Sequence, residues 1–201
     1  MIDQLLPAYY AAAQGVGLRY YETSRLNSGI ETPYNAVLGP DIPPTALANS
    51  LGVTGPTRYK QLVDSGTPPN EAVTDALDSM NSMLVRRVQD GSRLTVVSNV
   101  MKDDKAYGWQ RLSATGHPCA FCALLISRGP VYKSQASADF QAHDKCSCFA
   151  EPFYTSSAQA VPVAQEYQEL YKSSTEGYSG QAARNAFRRA YEAKYRPKEA
   201  Q

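Results

Sequence analysis

The residues best suited to chemistry are the cysteines and histidines, and they are clustered. All four cysteines and both histidines lie in one window of 32 residues, and the main pattern is Cys119-x-x-Cys122, twenty residues, then His143-x-x-Cys146-x-Cys148. Two ligands that are two residues apart can turn around one metal ion, and two such pairs complete a tetrahedron. A mixed set of thiolates and imidazole favours zinc. The sequence therefore predicts a structural zinc site with these five residues as candidate ligands.

Four ligands are enough for a tetrahedral zinc ion, so one of the five candidates is spare. The natural set is Cys119, Cys122, His143 and either Cys146 or Cys148. Cys146 is placed ahead because its spacing from His143 repeats that of the first pair, but Cys148 can replace either of those two residues. A disulfide needs an oxidising compartment, which nothing in the sequence supports, and free thiols leave the histidine spacing unexplained.

The same residues give little support to an enzyme. A fully ligated zinc ion has no open position for water. The run Pro118-Cys119-Ala120-Phe121-Cys122 matches the second half of the zinc-deaminase signature, but the H-x-E that must precede it is absent. The remaining enzymatic alternative is a metal-dependent, HNH-like endonuclease in which His143 activates water beside a second metal held by a carboxylate. Because residues 113–160 contain only three acidic residues, we expect a protein that is not an enzyme; those acids are Asp139, Asp144 and Glu151.

Helices must position this cluster, because apolar residues recur at three- and four-residue steps through much of the chain. One of the expected helices begins at Ser92, and its packed face continues to Trp109 and Leu112. Residues 27–44 are rich in proline and glycine and predict a loop or arm. The predicted fold class is mainly α, with a small Cys/His zinc-knuckle module, and room for a short β-hairpin, in the C-terminal half. The other helices are expected at residues 2–25, 45–51, 56–65, 70–91, 163–173 and 179–195.

The clearest helix, over residues 70–91, carries an apolar stripe that we expect to pack in the core. Asn70 is a favourable N-cap and Gly91 a favourable residue to end the helix. The stripe consists of Val73, Leu77, Met80, Leu84 and Val88.

The sequence predicts three regions. They are an N-terminal helix with an arm and short helices (1–69), a helical domain with the zinc module (70–153), and C-terminal helices with a basic tail (154–201).

Charge and hydropathy restrict the location and the partners. The net charge is +1, so only a local patch would attract a polyanion. Residues 181–201 carry a net charge of +4, and Arg184, Arg188 and Arg189 are candidate DNA contacts, although the helix dipole also favours basic residues near a helix C-terminus. The longest apolar run has eight residues, where a membrane span needs about 20. With no signal-peptide pattern either, we expect an intracellular product.

Three runs of residues carry a likeness to a known family. They are WQRLSATGHPCAFC at 109–122, Arg128-Gly129 followed by Tyr132, and HDKCSCFAEP at 143–152. The order is an arginine, Arg111, then a CxxC, a spacer, an H-x-x-C-x-C and a trailing proline. In this order the chain resembles the MuF-like minor head proteins of tailed bacteriophages. The resemblance covers residues 70–153.

This resemblance implies a structural minor capsid protein of the virion. Such proteins are associated with the portal vertex in the capsid interior, and some are connected with head assembly or with DNA packaging and ejection. The implied partners are therefore the phage portal or the major capsid protein, within an oligomeric assembly, and the implied origin is the host cytoplasm. The resemblance also marks the five Cys/His positions as the metal site. For Arg111, a matching position, we expect an ion pair or a carbonyl cap at a helix end.

Overall fold

The structure, a computed structural model, describes residues 2–133, 140 and 142–196, with side chains from residue 5 onward. The fold is mainly helical with a small two-stranded antiparallel sheet in the C-terminal half, which confirms the predicted fold class. None of the described helices is both long and apolar enough to cross a membrane. The elements in order are α1 (Ile2–Asn27), α2 (Pro44–Gly52), a π-helical turn (Val53–Thr57), α3 (Arg58–Asp64), α4 (Pro69–Lys102), β1 (Gly108–Ser113), α5 (Ala120–Ile126), β2 (Cys148–Phe153), α6 (Pro162–Thr175) and α7 (Gly180–Tyr195).

The two longest helices, α1 and α4, pack against each other. Their contact requires glycine on both sides: a Cβ on Gly17 would lie 2.5 Å from the carbonyl oxygen of Ser92, and one on Gly91 would lie 2.7 Å from that of Tyr10. Gly91 therefore stands inside a continuous helix of 34 residues. The prediction that one helix ends at Gly91 and another begins at Ser92 is wrong, because this glycine admits a neighbouring helix and does not cap its own.

The expected core stripe of α4 is only partly buried: Met80, Leu84 and Val88 are half-buried, but the first two positions are exposed. Val73 and Leu77 are 46% and 58% exposed, whereas the buried positions nearby are Ala72, Ala76 and Met83. The short helix α3 and the π-helical turn pack against α4 and approach it closely. Small alanines allow that approach, but hydropathy ranks them below valine and leucine. The helical period was predicted correctly, and the buried face was predicted only in part.

A strand replaces the helical face that was expected to continue to Trp109 and Leu112. β1 pairs with β2 in an antiparallel ladder that sets Gly108 opposite Phe153. Trp109 is fully buried and stacks on Tyr132, with the ring centroids 4.2 Å apart. The three-residue spacing of Trp109 and Leu112 fits a helix equally well, and the partner strand lies beyond the whole CxxC segment. A local pattern therefore could not show the pairing.

Residues 28–43 form an extended arm that lies along α4. Buried Asn99 of α4 accepts a hydrogen bond from the Val37 N–H at 2.9 Å and donates one to the Val37 carbonyl at 2.8 Å. Buried Thr95 accepts one from the Gly39 N–H at 2.9 Å. Side chains of the helix thus satisfy arm backbone groups that have no strand beside them. The predicted loop or arm at 27–44 is confirmed.

The last two helices, α6 and α7, pack together through aromatic side chains. Tyr167, Phe187 and Tyr191 are buried, and the rings of Tyr167 and Tyr191 meet edge to face with centroids 5.4 Å apart. The Tyr191 hydroxyl donates to the carbonyl of Pro118 at 2.6 Å. This bond joins the C-terminal helices to the segment that carries the first two cysteines.

Candidate metal centre

The first pair of cysteines is positioned by the start of α5. Cys119 precedes the helix with extended backbone angles, and its sulfur accepts a hydrogen bond from the Cys122 N–H at 3.4 Å. Such a bond fixes a cysteine as the N-cap of its helix and turns the next cysteine toward the same side. The Tyr191 bond to Pro118 anchors the preceding residue. The CxxC spacing therefore corresponds to a capped first turn of a helix.

The second group of ligands is positioned by a tight turn that leads into β2. The Cys146 N–H donates to the His143 carbonyl at 3.2 Å and closes the turn. Lys145, inside this turn, has a φ of 63°, in the left-handed region. Cys148 then opens β2 and is opposite Ser113 of β1. The sheet thus brings the second group to the segment that carries the first.

The five predicted ligand residues converge. His143 Nε2 lies 2.9 Å from the Cys119 sulfur and 3.4 Å from the Cys122 sulfur, and the Cys122 and Cys146 sulfurs are 3.5 Å apart. With zinc bond lengths of about 2.3 Å to sulfur and 2.0–2.1 Å to nitrogen, ligand atoms of a tetrahedral site lie roughly 3.6–3.8 Å from one another. The three observed separations are all shorter than this, so the sulfur and nitrogen atoms are gathered around one point and lie closer together than the ligands of a bound zinc ion.

Cys122 is the centre of the cluster. The ligand atoms form two overlapping groups of three within 4.8 Å, one of Cys119, Cys122 and His143 and the other of Cys122, Cys146 and Cys148. One tetrahedral ion takes four of these five. Both Cys146 and Cys148 are buried beside Cys122, so both candidates for the fourth ligand are within reach of it.

The protonation of the cluster suits a metal ion. His143 Nδ1 lies 2.6 Å from the Asp144 carbonyl, which can only accept, so Nδ1 carries the proton and the Nε2 lone pair faces the cysteines. Hydrogen bonding from Cys122 lowers the pKa of Cys119 to about 5, and the neighbouring Cys122 and Cys148 side chains lower the pKa of Cys146. Because Cys122 donates to Cys119, its own pKa is raised. Thiolates, the form that binds metal, are thus favoured at two of the positions.

An arginine of α4 holds the second group of ligands in place. Arg93 is buried, its Nε donates to the Cys148 carbonyl at 2.7 Å, and its Nη2 donates to the Cys146 carbonyl at 2.7 Å. Its Nη1 bonds Asp90 at 3.2 Å. Sequence reasoning missed Arg93. The available signal was an arginine on the same helical face as Val96, Val97 and Val100, which are all buried.

Other candidate residues lie outside the cluster. Arg111 is on β1 and its guanidinium lies 3.9 Å from the centroid of the Phe140 ring, so the expected place at a helix end is wrong because these residues form a strand. His117 is exposed and stacks on Tyr195 with centroids 5.1 Å apart. Arg184, Arg188 and Arg189 are exposed on α7.

The carboxylates that a hydrolytic second metal would need are engaged elsewhere. Asp144 accepts from Arg86 at 2.6 Å, and Glu151 is hydrogen-bonded to Tyr20. Asp139 lies outside the described residues. In the described part of the chain, both groups of potential ligands contain cysteine and histidine alone. The endonuclease alternative therefore receives no support from the arrangement.

The sequence was compared with known proteins. The family described as VG15 protein matches residues 1–174. "Gene 15 protein" of Mycobacterium phage D29 is 29% identical over 131 residues, which are 64% of this chain and 44% of that protein. The chain thus spans less than half the length of this relative. No solved structure gives a significant match.

Proposed function

The chain belongs to the VG15 protein family and is a phage protein, and we propose that it is a structural minor head protein of a tailed phage. In this proposal it lies in the capsid interior at the portal vertex, with the portal or the major capsid protein as its partner. It takes part in head assembly or in DNA packaging and ejection, and it catalyses no reaction. The observation that carries the proposal is the convergence of all four cysteines and His143 in a phage protein of this family.

We further propose that the metal is zinc and that its role is structural. The donor set is rich in thiolate, and tetrahedral sites of cysteine and histidine suit zinc. Cys119, Cys122 and His143 would supply three ligands, and Cys146 or Cys148 the fourth. Zinc binding contributes about 10 kcal/mol or more to folding in small zinc modules. Since whole domains are stable by about 5–15 kcal/mol, the fold of the C-terminal half would depend on the ion.

DNA is a second proposed partner, through α7. Arg184, Arg188 and Arg189 are exposed on this helix, and they fall in the segment with the +4 net charge. Exposed arginines are suited to phosphate because the guanidinium donates two parallel hydrogen bonds. This contact would be an addition to the head contacts and not a substitute for them.

The head role is tested on particles of the phage that encodes the chain. Quantitative mass spectrometry of purified virions and procapsids is expected to find the protein in a low copy number at a fixed ratio to the portal. Its absence from both kinds of particle would remove the proposal.

The metal is tested on the purified protein. Elemental analysis is expected to find one zinc ion per chain, and Cys119→Ser, Cys122→Ser and His143→Ala are each expected to lower that content. Of Cys146→Ser and Cys148→Ser, one is expected to leave the content unchanged, and it identifies the spare cysteine. Ser147→Ala, between the two, is the matched control. A chain that binds no zinc as purified, and none when refolded with zinc, would contradict the assignment.

A further inference from the structure

A cleft of about 300 Å³ includes the metal centre and extends beyond it. One wall is the ligand cluster itself. The other wall carries side chains that sequence analysis assigned to no role, and we refer to these as the cationic cleft: Thr115, His117, Lys145, Ser147 and Arg196. The cleft therefore presents two permanent cations, an imidazole and two hydroxyl groups to solvent. All of these groups can donate hydrogen bonds.

No carboxylate lines this cleft in the part of the chain that the structure describes. Glu192, four residues before Arg196, is exposed, whereas three other acidic residues near the cleft are paired with basic side chains. Asp75, whose charge acts on Lys145, accepts from Arg58 at 2.8 Å. Asp144 accepts from Arg86 at 2.6 Å, and Glu166 accepts from Lys194 at 2.9 Å. Apart from the cysteines of the metal centre, whose thiolate charge a bound divalent ion would largely balance, the described lining residues include no acidic group, so Lys145 and Arg196 suit an anion.

The backbone at Lys145 supports a role for its side chain. Among the described residues, Lys145 is the one non-glycine residue with a positive φ, at 63°. Glycine or asparagine adopts this conformation at lower cost, so lysine is an unfavourable choice for the turn alone. A residue held in such a conformation at the edge of a cleft points to a function for its side chain.

The cleft adjoins the C-terminal end of α7. Arg196 directly follows the last residue of α7, and exposed Arg189 lies about two helical turns earlier in the chain. Two turns correspond to about 10 Å, a distance that a nucleic-acid backbone crosses within a few phosphates. The cationic cleft therefore lies at the end of the helix that carries the exposed arginines, with exposed Glu192 between Arg189 and Arg196.

We propose that the cationic cleft binds phosphate groups of a nucleic-acid backbone, with Lys145 and Arg196 as its principal contacts. Thr115 and Ser147, whose hydroxyls are 2.9 Å apart, add neutral hydrogen-bond donors beside these cations. Binding of this kind is independent of base sequence, because phosphates carry no sequence information. This site would extend the DNA contact proposed for α7, and it does not require the proposed place in the phage head.

The test is fluorescence anisotropy of the zinc-loaded full chain with a labelled 16-base-pair DNA of arbitrary sequence, over a series of salt concentrations. Replacing both cations, with Lys145→Gln and Arg196→Gln together, is expected to weaken binding about tenfold at low salt. It should also reduce the slope of log K against log salt by about two. The matched control is Lys60→Gln with Lys172→Gln, which makes the same change in net charge at exposed positions away from the cleft.

Two further measurements make the result decisive. Zinc content and the unfolding temperature of the cleft variant must equal those of the parent, since Lys145 lies between two candidate ligands; the single Arg196→Gln variant, outside that turn, should show about half the change in slope. Equal loss of binding in the control variant would overturn the inference. Competition by poly-glutamate as strong as that by unlabelled DNA of equal charge would also overturn it, and would indicate an acidic protein surface.

Discussion

Replacement of Arg93 by lysine should weaken the metal centre although Arg93 contacts no metal ligand atom. The guanidinium donates hydrogen bonds to the carbonyls of Cys146 and Cys148 at 2.7 Å each and bonds Asp90 at 3.2 Å. A lysine ammonium keeps the charge but lacks the planar fork that reaches both carbonyls. A buried carbonyl left without a donor costs about 1–3 kcal/mol. Loss of a group that orients metal ligands typically lowers metal affinity 10–100-fold.

The assay is zinc competition with a chromogenic chelator, together with urea unfolding in the presence and absence of excess chelator. We expect Arg93→Lys to lower zinc affinity 10–100-fold and to lower the free energy of unfolding by about 1–3 kcal/mol when zinc is bound. In the presence of chelator, the difference in unfolding free energy between Arg93→Lys and the parent should be smaller, because no zinc-binding energy then depends on an ordered ligand turn. The matched control is Arg87→Lys on the same helix, since Arg87 bonds Ser50 at 2.8 Å and not the ligand turn. Unchanged zinc affinity in Arg93→Lys would refute the reasoning.

Three further predictions concern packing and charge, and all are read by urea unfolding. Gly91→Ala should lower the free energy of unfolding by about 1–3 kcal/mol, because its methyl group would lie 2.7 Å from the Tyr10 carbonyl oxygen. Gly15→Ala, with no atom within 4 Å of the new methyl group, should raise it by about 0.5–1 kcal/mol. Stabilisation by Gly91→Ala would contradict the close packing of α1 and α4. Leu77→Ser should change the free energy of unfolding by less than about 0.5 kcal/mol because Leu77 is exposed. Ala72→Leu should lower it by about 1–3 kcal/mol because Ala72 is buried. A larger loss in Leu77→Ser than in Ala72→Leu would indicate that the sequence-predicted stripe is buried after all. Burial raises the pKa of Glu151, so ionising this residue opposes folding above its unfolded-state pKa. Glu151→Gln should therefore be more stable than the parent at pH 7, with the difference vanishing below about pH 4, and lower stability of this variant at pH 7 would be inconsistent with that sign.

The candidate metal ligands could be predicted from the sequence because their chemistry is rare and their spacing is local. Two residues separated by two others can face the same point within one turn of the chain. The pairs Cys119 with Cys122 and His143 with Cys146 could therefore be predicted without knowing the rest of the fold. The sheet that brings these two pairs together was not predictable in the same way. Its strands are far apart in sequence, and Trp109 and Leu112 fit a helical period as well as a strand.

The polar residues on the buried face of α4 were missed because they hydrogen-bond to backbone segments that have no neighbouring strand. Thr95 and Asn99 satisfy the backbone of the extended arm, and Arg93 satisfies the backbone of the ligand turn, all from the buried side of the helix. Those residues are polar and Gly91 has no side chain, so a hydropathy period underrates the face that is buried. Segments without a strand beside them still need partners for their N–H and C=O groups. In this protein α4 supplies those partners. The ligand turn and the arm are therefore both held in place by the same two turns of this helix.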